Sequence, residues 1–399
     1  MASTETVAVI GLGYVGLPLA VEASKAGHNV IGFDIDKDKI KILNTGHSLV
    51  EDIEDETLLK LIKESNLFLT DKAVVIQDAS IIIVCVPTPL DSQRKPDLSY
   101  LLNALTTVGK NLTQGALVII ESTVAPGTTR EILLPHLEKI SGLSRNDFLL
   151  AFSPERVDPL NSKWNISNTP KLVAGFSDMA LQKAQKFYIT FIQNLVLCDS
   201  LEIAETAKLL ENSFRLVNIS FINEFSKICY KLGIDVDKVI NAASTKPYGF
   251  MPFFPGIGIG GHCIPVDPIY MSSKAKEVGA STFFIDLADR VNQEMPSFFV
   301  QRADDKLNGL AEKKILVLGI AYKPDVSDVR ETPVVTLIVE LRRLGAKVFW
   351  HDDLVNSWNG ETSTPLSKDF DLAIIATRHK YIDLTVLGDT QILDTRNSI

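Results

Sequence analysis

Cys263 lies in the stretch Pro255-Gly256-Ile257-Gly258-Ile259-Gly260-Gly261-His262-Cys263-Ile264-Pro265-Val266-Asp267-Pro268, where the glycine and proline density excludes helix and strand. A loop of this kind brings its backbone close to a neighbour. A thiol on it, with His262 before and Asp267 after, is set out as a nucleophile, because a thiolate attacks electrophilic carbon readily. Taken alone, the same residues also fit a glycine-rich surface loop around an inert cysteine. A second pair with chemical potential, Lys208 and Asn212, is spaced by one helical turn and so shares a helix face. An ammonium and an amide side by side are usually a solvated pair, but they are also suited to stabilising a developing oxyanion.

The elements that must position these groups follow an α/β rhythm. Thr6 to Ile10 forms a short buried strand that runs into Gly11-Leu12-Gly13-Tyr14-Val15-Gly16 and then a helix to about Ala26. That is G-x-G-x-x-G between strand and helix, a dinucleotide fingerprint in its required context. Glycine permits the tight turn and the approach of backbone N–H groups to a pyrophosphate at the helix N-terminus. A second strand, Asn29 to Phe33, ends at Asp34, about 20 residues on, where a carboxylate bonds a ribose 2′-hydroxyl and repels a 2′-phosphate. NAD is therefore the expected cofactor, in preference to NADP.

Further strands are predicted at Ser80 to Val86, Ala116 to Glu121 and Leu149 to Phe152. They end in polar turns: Pro87-Thr88-Pro89, Ser122-Thr123-Val124-Ala125-Pro126-Gly127-Thr128, and Ser153-Pro154-Glu155-Arg156. Ligands of open parallel sheets sit beyond the C-terminal strand ends, so these turns should line the cofactor and substrate crevice. From Leu201 to Leu232 the pattern becomes one long helix, acidic at its start and closed by Gly233, with more apolar surface than one packing face needs. It is expected to be a spine between domains and part of a dimer interface. Helical segments continue to about Leu310. A second strand-first unit then opens at Lys314 to Gly319, with strands at Lys347 to Trp350, Leu372 to Ala376 and Ile392 to Leu393, the last ending at Asp394-Thr395-Arg396-Asn397.

Bulk properties narrow the classes. The chain has 399 residues, 46% hydrophobic and 22% charged, and a formal net charge of -9, which argues against nucleic-acid or anionic-membrane partners. The N-terminus has no basic region ahead of its first strand, and no apolar run is long enough to span a bilayer. The cysteines (Cys85, Cys198, Cys229, Cys263) show no metal-ligand spacing, so no metal is expected; Cys85 and Cys229 are expected in the core. Free thiols suit a reducing, cytoplasmic location.

With these residues in view, the chain resembles the UDP-glucose/GDP-mannose 6-dehydrogenase family. The resemblance rests on Gly11 to Pro18, Glu121-Ser122-Thr123, Ser153-Pro154-Glu155-Arg156, Lys208 with Asn212, Gly260-Gly261-His262-Cys263, and Lys323 with Arg330. Lys246-Pro247-Tyr248-Gly249-Phe250-Met251-Pro252 and the run from Gly261 to Pro268 look most like the branch acting on UDP-N-acetylhexosamines. The resemblance implies an α/β fold of two Rossmann-like doubly wound domains joined by a long central helix and a small helical domain. Its divisions would be an NAD-binding domain over 1–197, a helical dimerisation domain with the Cys loop over 198–305, and a UDP-sugar-binding domain over 306–399.

It also implies a four-electron oxidation of the sugar C6 hydroxyl to a carboxylate, with two NAD reduced. Cys263 would carry a thiohemiacetal and then a thioester; Lys208 and Asn212 would stabilise the C6 oxyanion. Asp267 would orient Lys208 or the hydrolytic water, and Glu155 and Thr123 would position or activate that water. Carried over with them are Gly11, Gly13, Tyr14, Val15, Gly16, Asp34, Thr88, Thr123 and Arg330 on the cofactor side. Glu155, Arg156, Lys208, Asn212, Tyr248, Gly260 and Lys323 fall on the substrate side. UDP-N-acetylglucosamine is the first-choice substrate, then UDP-N-acetylgalactosamine, UDP-N-acetylmannosamine and UDP-glucose, and a homodimer through the central helix is implied. His262 would either tune the Cys263 thiolate or only pack in the loop. Asp158 stands too close to Glu155 to be given a second water-positioning role, and the chain ends soon after Asn397, earlier than the resemblance leads one to expect. Two other readings stay open: a two-electron alcohol or hydroxyacid dehydrogenase in which Cys263 is incidental, and a non-catalytic nucleotide-sugar-binding module.

Overall fold

The structure, a computed structural model, describes residues 4–158, 160–161 and 163–396. Pro159 and Asn397, named in the turns above, lie outside them. The chain forms two compact units, Met1–Leu210 and Glu211–Ile399.

The first unit carries strands β1 (Thr6–Ile10), β2 (Asn29–Phe33), β3 (Leu67–Thr70), β4 (Ile81–Val84), β5 (Leu117–Ile120), β6 (Leu149–Phe152), β7 (Lys171–Gly175) and β8 (Leu195–Leu197). Its helices are α1 (Gly16–Lys25), α2 (Lys37–Asn44), α3 (Asp55–Lys63), α4 (Ser99–Lys110), α5 (Leu134–Ser141) and α6 (Asp178–Tyr188). The sheet order is β3-β2-β1-β4-β5-β6-β7-β8, parallel except for β6 against β7. This is the doubly wound order, with its switch point between β1 and β4. Successive residues of a strand face opposite sides, and the apolar runs therefore feed two cores. Val7, Val9, Ile81 and Ile83 join Leu17 and Leu19 on one face, while Ala8, Ile10, Ile82 and Val84 join Leu101 and Leu105 on the other.

β4 and β5 are shorter than the strands predicted from sequence, and β3, β7 and β8 are not predicted by it. β3 and β8 are short and carry exposed positions, including Phe68, Val196 and Leu197. The antiparallel step into β7 breaks the α/β alternation that reveals the other strands.

Helix α7 (Leu201–Leu232) runs from the first unit into the second and has the bounds its periodicity predicted. The second unit continues with α8 (Val236–Ser244), α9 (Asp267–Glu277) and α10 (Phe283–Leu307). Then come β9 (Lys314–Leu318), α11 (Val334–Arg343), β10 (Lys347–His351), the small hairpin β11 (Ser357–Trp358) with β12 (Glu361–Thr362), β13 (Leu372–Ile375) and β14 (Gln391–Asp394). Its sheet, β10-β9-β13-β14, is wholly parallel. The fold class is thus α/β with two Rossmann-like sheets, a long helix and a helical segment between them in the chain. Among the described residues no helix is long and apolar enough to cross a membrane.

Candidate active site

In the first unit, the turn after β1 is shaped by what its glycines can and cannot carry. Gly11 has φ +91°, and its N donates to Phe33 O at 2.8 Å. A Cβ on Gly16, the first residue of α1, would stand 1.8 Å from Gly11 O. Protein atoms therefore demand both. Gly13 differs: a Cβ there would meet nothing within 4 Å. No protein atom demands it, and the open space it leaves at the start of α1 is where a pyrophosphate is expected. Tyr14 and Val15 complete the turn. Asp34, at the end of β2, accepts a hydrogen bond from Leu12 N at 2.9 Å, which holds the acid against the glycine turn. Lys39 pairs with the same carboxylate at 2.8 Å.

Beyond β4 and β5, the Thr88 hydroxyl donates to Thr123 O at 2.8 Å and ties the two polar turns together. Glu205 of α7, fully buried, accepts from Gly127 N and Thr129 N at 2.6 and 2.9 Å and braces the β5 turn from behind. Glu205 has only one signal in the sequence, an acid amid an apolar helical period.

Glu155, beyond β6, is buried, and its Oε1 has no hydrogen-bond partner. Lys208 reaches it from α7, donating to Glu155 O at 2.5 Å with its Nζ 3.5 Å from Oε2. Burial pushes the Glu155 carboxyl above its ordinary range, while the charges of Lys208 and Lys171 pull the other way. Arg156 donates to Pro170 O at 2.8 Å. Glu155, Arg156 and Val15 line a cleft of about 340 Å³, its open mouth included, together with Glu121 and Lys171.

In the second unit, Asn212 donates from Nδ2 to Asp267 Oδ2 at 2.6 Å, both residues buried. Asp267 opens α9, and its N donates to Cys263 O at 2.8 Å, so the Asn212 partner is one turn from the exposed Cys263. Cys85, Cys198, Cys229 and Cys263 form no disulfide. Two buried asparagines pin the Cys loop: Asn223 of α7 accepts from Gly256 N at 2.9 Å, and Asn292 of α10 accepts from Ile259 N at 2.7 Å. The glycine density has a local cause. A Cβ on Gly260 would lie 2.7 Å from Glu331 O, and one on Gly261 2.9 Å from the Tyr322 ring. The close neighbour of the loop is thus the turn after β9, which accounts for Gly260 by packing.

His262 is driven down to about 4 by burial and then by the Arg330 charge, so it is neutral at pH 7 and offers Cys263 no cation. Arg330 forks onto Asp328 at 2.6–3.0 Å, and Lys323 is half-buried in the same turn. Tyr248 is exposed, with the Lys246 ammonium 5.1 Å from its ring centre. Arg302 and Arg396 each keep a buried Nε with no hydrogen-bond partner; the sequence offers Arg396 only as part of a strand-end turn and gives Arg302 no role. Among the described residues no group of acidic, His and Cys side chains is gathered to hold a metal.

Family models match nearly the whole chain. The NAD binding domain, central domain and UDP binding domain of the UDP-glucose/GDP-mannose dehydrogenase family match residues 5–192, 202–294 and 316–399. The chain belongs to this family. It is an NAD-dependent UDP-sugar dehydrogenase, an oxidoreductase. A protein of Pyrococcus horikoshii named UDP-N-acetyl-D-mannosamine dehydrogenase is 36% identical over 98% of this chain and 96% of the relative. A Pseudomonas aeruginosa protein named UDP-N-acetyl-D-glucosamine 6-dehydrogenase is likewise 36% identical, over 94% of this chain and 90% of the relative. The solved structure of the UDP-D-ManNAc dehydrogenase of P. horikoshii superposes with TM-score 0.90 at 35% identity, over 99% of this chain and 96% of that one.

Proposed function

We propose that the enzyme oxidises the C6 hydroxyl of a UDP-N-acetylhexosamine to the carboxylate, with UDP-N-acetylglucosamine the preferred substrate. The observation that carries this reading is one stretch of α7. Its Lys208 is bonded to the buried Glu155, and one turn on its Asn212 is bonded to Asp267, at the foot of the Cys263 loop. NAD, when bound, supplies the hydride acceptor for each of two oxidations. Gly11, Gly13, Tyr14, Val15, Gly16, Asp34, Thr88 and Thr123 would hold it, with Arg330 on the cofactor side.

Each residue then has a task. The Lys208 ammonium and the Asn212 amide face the C6 oxygen as negative charge develops there, a donor role typically worth about 10²–10³ in rate. Asp267 holds the Asn212 amide in its orientation. The Cys263 thiolate adds to the aldehyde carbon, and loss of hydride from that adduct leaves a thioester. A thioester is a better acyl donor to water than an ester, which is why sulfur serves here. Glu155 takes a proton from the attacking water, and Thr123 helps to position that water. Lys323, Arg156, Tyr248, Arg302 and Arg396 provide candidate contacts for the nucleotide sugar.

The names of the two relatives divide between N-acetylmannosamine and N-acetylglucosamine at equal identity, which makes the mannosamine epimer the second reading, ahead of N-acetylgalactosamine and glucose. We assign the chain three domains, 1–197, 198–305 and 306–399, a cytosolic location that keeps Cys263 reduced, and a homodimeric state. Dimerisation is supported by the apolar stripe that α7 leaves exposed at Leu210, Phe214, Phe221 and Ile228. A monomer in light scattering at micromolar concentration would refute it.

The substrate is tested by ranking a panel of UDP-sugars by kcat/KM. Cys263→Ser, run beside the wild type, should stop the second oxidation. Unchanged turnover in that variant would favour a two-electron dehydrogenase instead.

A further inference from the structure

A charged cluster is buried behind Glu155 in the first unit. Glu121, at the end of β5, has a side chain only 1% exposed; Lys171, the first residue of β7, places its Nζ 3.0 Å from Glu121 Oε1. Tyr188, the last residue of α6 and wholly buried, donates its hydroxyl to the same oxygen at 2.5 Å, and the Lys171 ammonium lies 5.0 Å from its ring centre. Burial and the Glu121 charge push the Tyr188 phenol well up, so it remains a donor. Three elements thus fix one ammonium in place. A cluster that served only to join β5, β7 and α6 would have no reason to open onto the cleft, yet Glu121 and Lys171 line it together with Glu155.

We propose that Lys171, held by Glu121 and Tyr188, is a positioning residue for thioester hydrolysis that supplies the second positive charge beside Glu155. The inference rests on the reading of Glu155 as the base. In that step the water oxygen bonds to the acyl carbon of the Cys263 thioester and one water proton passes to a Glu155 oxygen. The C–S electron pair returns to sulfur as thiolate, and the product acid releases its proton to solvent. Glu155 acts only as a carboxylate, and burial opposes that form. Facing it are Lys208 from α7 and Lys171 from β7, which favour the charge, and Glu121 from β5, which opposes it. Cys85, at the end of β4, is held as a neutral thiol by burial. Lys208 is bonded directly and is also drawn on by the oxyanion; Lys171 supports the charge without moving.

The test follows single-turnover decay of the acyl adduct on Cys263 in the full-length enzyme, by quench and intact mass, across about pH 5–9. Lys171→Met should raise the acid limb of the decay rate by about one pH unit. Lys171→Arg should restore it, and Glu121→Gln should lower it, since a negative charge facing Glu155 is gone. A merely structural cluster predicts no such opposition of sign. Lys171→Met and Glu121→Gln limbs that move together, or stay put in proteins that melt cooperatively, overturn the proposal. If Lys171→Met does not fold, Glu121→Gln decides alone: a limb that rises or is unmoved overturns it. Glu155→Gln separates the two levels. If that variant keeps wild-type decay and its acid limb, the reading of Glu155 as base fails; if it loses them while the Lys171 and Glu121 variants are silent, only the present inference fails.

Discussion

The two sheets present the same device at the same place and use it differently. In each, the first strand enters a glycine turn and the second strand ends in an aspartate whose carboxylate accepts from the turn backbone: Asp34 from Leu12 N, Asp352 from Ile320 N. Asp34 keeps company with the flexible, half-buried Lys39. Asp352 is sealed, its side chain fully buried against His379 Nε2 at 3.0 Å and capping Leu354 N and Val355 N. Burial is the largest influence on Asp352 and opposes its ionisation, but the His379 bond and charge, with the Leu354 and Ile320 N–H bonds, together outweigh it and hold the carboxyl below its ordinary range. The glycines divide likewise. A Cβ on Gly319 would lie 1.7 Å from Thr377 O, so the chain itself requires that glycine, whereas Gly13 is bare toward open space. A dinucleotide-type turn becomes a structural joint when its acid and its glycine are both consumed by the protein.

The two aspartates are expected to part most clearly. Asp352→Ala strands His379 and several backbone donors, and should cost about 3–5 kcal/mol in denaturant unfolding. Asp34→Ala should instead weaken NAD binding about tenfold, about 1.4 kcal/mol, and cost only about 1–2 kcal/mol of stability, because Leu12 N loses its buried acceptor. The reverse pattern would dissolve the comparison. Next is the glycine pair: Gly319→Ala should fail to accumulate as folded protein, while Gly13→Ala should fold with stability within about 0.5 kcal/mol of wild type and raise the KM for NAD at least about tenfold. A Gly13→Ala enzyme with normal NAD kinetics would deny that the turn approaches the cofactor.

A subtler change sharpens the role of the acid itself. Asp34→Ser removes a charge that repels a 2′-phosphate and releases Lys39 toward it. The kcat/KM preference for NAD over NADP should narrow by about 10–100-fold. The smallest effect tests how the first unit braces its β5 turn. Arg130, just past that turn, pairs with Glu202 of α7 at 2.6 Å, which lowers the Glu202 carboxyl to about 2. Because its folded value is depressed, Glu202 contributes stability above its ordinary titration range and loses that contribution as pH falls toward 2. Arg130→Ala should remove under about 1 kcal/mol at neutral pH, the pair being largely solvated, and flatten the acid side of the stability profile.

The legible parts of the fold were those with periodic or fixed-spacing signals. α7 and β6 matched their predicted ranges, and Gly11 to Gly16 with Asp34 formed the turn their spacing implied. Asn212 and Asp267 met as neighbours, though the sequence had offered Asp267 to Lys208 or to a water. What stayed hidden was pairing between distant residues. Glu121, Lys171 and Tyr188 sit on three elements and look alone like strand-end and helix-end residues; only the sheet order puts them together. The same holds for Asn223 and Asn292, whose amides reach one loop from two helices. The Cys loop glycines were legible as close approach, but the neighbour, Tyr322 and Glu331, was not, because sequence patterning tells of a missing Cβ and not of what fills its place.

The central claim is that Cys263 makes this a four-electron enzyme. Its most direct test is the number of NADH formed per molecule of UDP-N-acetylhexosamine, read by absorbance with NAD in excess and the sugar consumed to completion. The account predicts two NADH and a uronic acid product. One NADH with release of the aldehyde would contradict it and leave Cys263 without a chemical role.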